Sequence, residues 1–115
     1  IEDAAAMGVD SIEHGTYADA AGLKAMKARG TWYVPTLMAF TGLTERIGKG
    51  VYTPVVEAKA KQALERLGQG LKAAKAAGVR IAYGTDAGVF EHARAGEEGQ
   101  MMVEYGGMTP REVLV

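Results

Sequence analysis

A chain of 115 residues suffices for one small domain but falls short of the roughly 250 residues of a complete α/β barrel. With 48% hydrophobic and 23% charged residues and a formal net charge of −1, the composition argues against a disordered chain and does not point to nucleic acid or an anionic membrane surface as partner. Cysteine is absent, which excludes disulfides, thiolate ligands and cysteine nucleophiles and suits a cytoplasmic protein. No apolar run approaches the roughly 20 residues that span a bilayer. The opening Ile1-Glu2-Asp3 is acidic, there is no initiator methionine, and the last residues read as helix. Both ends are therefore expected to be cut, leaving residues 1–115 as one partial domain.

Ile1 to Met7 is alanine-rich and helix-competent, with Gly8 placed to end it. Val9 to Gly15 reads as a short strand. Asp19 caps the next helix, whose apolar positions Leu23, Met26 and Ala28 have helical spacing, and Gly30 closes it. Thr31-Trp32-Tyr33-Val34 is β-branched and aromatic, a second strand that Pro35 stops. Leu37 to Thr53 holds three glycines and no clean period, and reads as a long loop that includes one helical turn. Pro54 opens a long helix to about Ala77, with Val56, Ala60, Ala63, Leu64, Leu67 and Leu71 along one face. Gly68 and Gly70 predict a bend in it. Val79 to Gly84 is the third strand, and Thr85-Asp86-Ala87-Gly88 its exit turn. A loop to about Arg94 leads to a helix ending near Tyr105, and Thr109-Pro110-Arg111-Glu112 has the cap, proline and glutamate spacing of a further helix start. Strands alternating with helices predict an α/β fold with a parallel sheet and right-handed crossovers.

In such folds, ligand-facing residues collect where strands give way to loops. Two strands here end in metal- or proton-handling groups: Ile12-Glu13-His14-Gly15 and Tyr83-Gly84-Thr85-Asp86-Ala87-Gly88. Histidine offers a neutral imidazole nitrogen to zinc-like metals, and aspartate offers an oxygen ligand or a general base. Either residue alone is more often structural, a hydrogen-bonded histidine or a helix-capping aspartate. Both at equivalent strand ends, with room for two β-α units between them, form a stronger signal.

Those two runs, with Val34-Pro35-Thr36-Leu37 and the closing Glu104-Tyr105-Gly106-Gly107-Met108-Thr109-Pro110-Arg111-Glu112, resemble the amidohydrolase superfamily. The branch most similar contains imidazolonepropionase-related enzymes and the Xaa-Pro and Xaa-Arg/Lys dipeptidases. The closing run carries one residue more around its glycines than is usual there. The resemblance implies the C-terminal part of a (β/α)8 TIM barrel, strands six to eight with their helices. It implies that His14 ends strand six as a metal ligand, and that Asp86 ends strand eight as both metal ligand and catalytic base. The cofactor implied is a divalent metal, zinc, as one or two ions, and the substrate a small amide, a dipeptide or a cyclic amide. The superfamily's other ligands, a His-x-His pair on strand one, a carboxylated lysine on strand four and a histidine on strand five, have no counterpart in the chain. The 115 residues alone are accordingly expected to be inactive.

His92, six residues beyond Asp86, resembles a loop histidine that shapes the substrate pocket in the dipeptidase-like branch, though Glu91 and Ala93-Arg94-Ala95 depart from the proline and glycine found there. A solvated loop histidine is the equal alternative. On strand alternation Glu13 points away from His14 toward a helix. Thr85 and Tyr17 are candidates to orient ligands or simple loop hydrogen-bonders, Thr36 a candidate to face substrate, Trp32 and Tyr33 packing residues, and the methionines core filler. Arg66, Lys72, Lys75 and Arg80 read as a solvated face. Two other functions stay open: a non-catalytic α/β ligand-binding module, and a ring deaminase of the same superfamily. A homo-oligomer is compatible with all three.

Overall fold

The computed structural model describes all of residues 1–115. Its order is α1 (Glu2–Ala6), β1 (Ser11–Glu13), α2 (Ala20–Arg29), β2 (Trp32–Val34), α3 (Met38–Thr44), α4 (Pro54–Leu64), α5 (Gln69–Ala77), a 3₁₀ turn (His92–Arg94), α6 (Glu97–Glu104) and α7 (Pro110–Leu114). Strands β1 and β2 pair in parallel, with Ile12 opposite Tyr33. Beyond β2 the expected third strand is reduced to a parallel bridge between Tyr33 and Ile81. Only two hydrogen bonds make it, Tyr33 N–H to the Arg80 carbonyl at 2.8 Å and Ala82 N–H to the Tyr33 carbonyl at 3.0 Å.

Ile12 and Tyr33 face the helices, joining a core of Leu23, Met26, Leu37, Leu71, Ala74, Val79, Met102 and Met108. Ser11, Glu13 and Trp32 lie on the other, open face. The molecule is flattened accordingly, with extents of 43 × 31 × 21 Å. Four methionines are core filler as expected, Met26, Met38, Met102 and Met108, whereas Met7 is exposed. Asp19 caps α2 by accepting from the Gly22 N–H, but Ala28 is exposed, and buried Gly22 takes its place on the packed face.

Residues 38–44, read as loop with one helical turn, form the two-turn helix α3, and the helix read over 54–77 is divided into α4 and α5 near the bend expected at Gly68 and Gly70. The break is at Gly68, whose φ of 75° leaves helical geometry. A Cβ there would meet the Tyr105 carbonyl oxygen at 2.2 Å, so only glycine allows the α6 end to approach. Helix α3 escapes a periodicity test because it is buried on most sides, at Met38, Ala39, Phe40 and Gly42. The solvated basic face also resolves into separate contacts. Arg66 lies over the Tyr17 ring at 5.3 Å and Arg80 over Trp32 at 4.6 Å, while Lys75 pairs with Glu112 at 2.9 Å.

Candidate metal centre

Three non-glycine residues have positive φ, and each ends one of the three parallel segments: His14 at 65°, Thr36 at 47° and Asp86 at 55°. Such residues each cost about 1–3 kcal/mol of backbone strain, and a β-branched threonine is the least suited to it. The strain has a geometric result. It breaks strand alternation and turns three side chains toward one spot.

At the end of β1, the His14 N–H makes the last ladder bond, to the Val34 carbonyl at 2.9 Å. The Gly15 N–H then returns to the Glu13 carbonyl at 2.8 Å, closing a three-residue turn around His14. The Tyr33 hydroxyl donates to the His14 carbonyl at 2.9 Å. Burial pushes that phenol up to about 12, so it remains a neutral donor across the physiological range. Gly15, at φ 56°, is required here, because a Cβ would sit 2.2 Å from the Tyr33 ring.

The imidazole lies between two partners. Its Nδ1 is 2.5 Å from Thr36 Oγ1, and its Nε2 is 3.9 Å from Asp86 Oδ2. The longer distance exceeds a hydrogen bond, and both side chains are about half exposed, so mutual attraction contributes little to their placement. The backbone turns bring them together. One imidazole nitrogen and one carboxylate oxygen are a donor set that suits a zinc-like ion, whose ligands each sit at about 2.0–2.2 Å. The set fits but is partial, since no cluster of three His, Cys, Asp or Glu groups forms in the chain.

Two cavities meet at the pair. A polar one of about 200 Å³ is lined by Glu13, His14, Thr36, Gly84, Thr85 and Asp86. A larger one of about 640 Å³ runs from His14 and Asp86 along apolar Ala39, Phe40, Leu43, Ala63 and Val89. Glu13 therefore lies beside His14, not behind the sheet, and its carboxylate accepts from Ser11 Oγ at 2.6 Å. The expectation failed because left-handed His14 ends the two-residue alternation on which it rested. Tyr33 packs as expected but also holds His14 through its hydroxyl. Thr36 faces the imidazole. Thr85 lines the polar cavity and Tyr17 the apolar one, and neither hydrogen-bonds His14 or Asp86. His92 sits on the exposed 3₁₀ turn, outside both cavities.

Sequence reasoning missed Glu98. Fully buried, its carboxylate accepts the Leu37 N–H at 2.8 Å and the Met38 N–H at 2.7 Å, pinning the chain just after Thr36. Burial raises its pKa against the lowering effect of those two bonds. A glutamate sixty residues away from the backbone it caps leaves no local signal.

The exits of two parallel segments thus bring a histidine and an aspartate to one shared cavity. The sequence model of the Amidohydrolase family matches residues 1–115 throughout. The chain belongs to the amidohydrolase family. Curated relatives include uncharacterised proteins of Mycobacterium bovis and Mycobacterium tuberculosis, each 35% identical over 111 residues, which cover 93% of this chain and 29% of theirs. Similar solved structures include a Xaa-Pro dipeptidase with methionine bound in its active site, at TM-score 0.85 and 35% identity over 96% of this chain and 27% of that one. An A. niger ochratoxinase matches at TM-score 0.80 and 34% identity, over 95% of this chain and 24% of that one. The chain thus spans less than a third of the proteins it matches.

Proposed function

We propose that the chain supplies half of the hydrolytic centre of a C–N-cleaving amidohydrolase, as strands six to eight of a (β/α)8 barrel. The observation that carries this is the convergence of His14 Nε2 and Asp86 Oδ2 at 3.9 Å from the exits of separate parallel segments. His14 and Asp86 would hold a divalent metal, zinc by the chemistry of the donors, with the remaining ligands coming from outside these residues. When bound, that ion supplies Lewis-acid polarisation of the amide carbonyl and acidification of water. Asp86 accepts a proton from the attacking water at its carboxylate and returns it to the leaving amine. Its exposed side chain, at the junction of the polar and apolar cavities, supports both transfers. The apolar cavity suits an apolar side chain on a small amide such as a dipeptide.

The test is hydrolysis of a dipeptide panel by the complete protein and its Asp86→Asn variant. The expected loss in kcat is about 100- to 10,000-fold, the range for removing a general base. Full activity in Asp86→Asn would sink the proton-transfer role.

A further inference from the structure

Strand β2 ends between the two proposed metal-site residues and contributes no metal-binding side chain itself. What it contributes is a grip on His14 from two directions: the Tyr33 hydroxyl on the main-chain carbonyl, and Thr36 Oγ1 on the ring. The Thr36 hydroxyl also donates to the Pro35 carbonyl at 2.8 Å, in a fully buried turn. A hydroxyl has one hydrogen. If that hydrogen stays with Pro35, Thr36 Oγ1 can only accept from His14, which requires the tautomer protonated at Nδ1. The lone pair then belongs to Nε2, the nitrogen that faces Asp86 at 3.9 Å.

We propose that Thr36 is a positioning residue that fixes both the rotation and the tautomer of His14, presenting Nε2 as the only nitrogen able to bind metal. The proposal rests on the reading of His14 as a metal ligand. It accounts for an otherwise costly choice, because a β-branched residue at φ 47° is strained where glycine or asparagine would fit with less strain. Neither glycine nor asparagine carries a hydroxyl at that place. The strained turn is held in position from below by Glu98, whose carboxylate takes the next two backbone N–H groups. Metal-bound histidines are commonly oriented in this way by a partner on the other ring nitrogen.

The experiment compares the complete protein with Thr36→Val, Thr36→Ala and Thr36→Ser, with His14→Ala as the control. Two quantities are read: zinc affinity by competition with a chelator, and the His14 tautomer in the metal-free protein by ¹H–¹⁵N NMR. Val and Ala are expected to weaken zinc binding by about 10- to 100-fold, the usual effect of losing such a partner. Both should also lose the Nδ1–H signal, while Ser retains affinity and signal. The series separates the hydroxyl from bulk and from folding, since Ser and Ala differ by one oxygen. Retention of affinity and Nδ1–H in Ala or Val, or loss in Ser as well, overturns the positioning role. Should His14→Ala leave zinc binding unchanged, the fault lies instead with the reading of His14 as a ligand.

Discussion

Helix α7 begins Thr109-Pro110-Arg111-Glu112, and those four residues contain its whole cap. Helix α3 begins at Met38 after Leu37, and no side chain of its own neighbourhood caps it. In both cases a glutamate carboxylate answers the unpaired N–H groups of a helix start. Glu112 accepts the Thr109 N–H at 2.7 Å from three residues away, and Glu98 accepts the Leu37 and Met38 N–H groups from sixty. Their proton affinities move in opposite directions. The Thr109 N–H, Lys75 and the Thr109 hydroxyl lower exposed Glu112 to about 2, whereas burial raises Glu98 despite its two bonds. Two backbone hydrogen bonds do not compensate for removing a carboxylate from water. The buried cap nevertheless stands where position matters most, one residue past the hydroxyl that holds His14.

The comparison can be broken most forcefully at Glu98. Glu98→Ala leaves two buried N–H groups without acceptors and should lower stability by about 3 kcal/mol, read in a denaturant melt of the complete protein. A change below about 0.5 kcal/mol, typical of an unremarkable surface site, would mean that α3 is held without it. A smaller effect concerns acid. Because the folded pKa of Glu112 is depressed, its contribution is complete above the ordinary value of 4.5 and disappears as pH falls from there toward about 2. Glu98 has the opposite sign: its raised folded pKa gives a contribution present below 4.5 and lost as pH rises through the folded value. Between pH 5 and 2, Glu112→Gln should therefore flatten the acid loss of stability relative to the unsubstituted protein. An unchanged acid limb would contradict the low pKa of Glu112.

The same contrast explains what could be read from the residues in order. The α7 start was legible because its cap, proline and glutamate are contiguous, and the capping box is present as expected. Asp19 and Gly30 delimited α2 for the same local reason. Helix α3 was not legible, because its burial removes the periodic pattern and its cap comes from α6. Among candidate site residues, His14 and Asp86 stood out because each ends a strand-like run followed by a glycine-containing turn. Glu13 was misplaced because alternation assumes extended backbone through His14, which instead has φ 65°. The roles of Thr36 and Tyr33 toward His14 depend on contacts across two strands, and neither contact follows from local spacing.

The central claim is that His14 and Asp86 are two ligands of one metal, brought together by strained strand exits more than by attraction for each other. Zinc-edge anomalous scattering from crystals of the complete protein tests it most directly. The account predicts a peak about 2.0–2.2 Å from both His14 Nε2 and a carboxylate oxygen of Asp86. A zinc peak coordinated elsewhere, with Nε2 and Asp86 both free of it, would contradict the account.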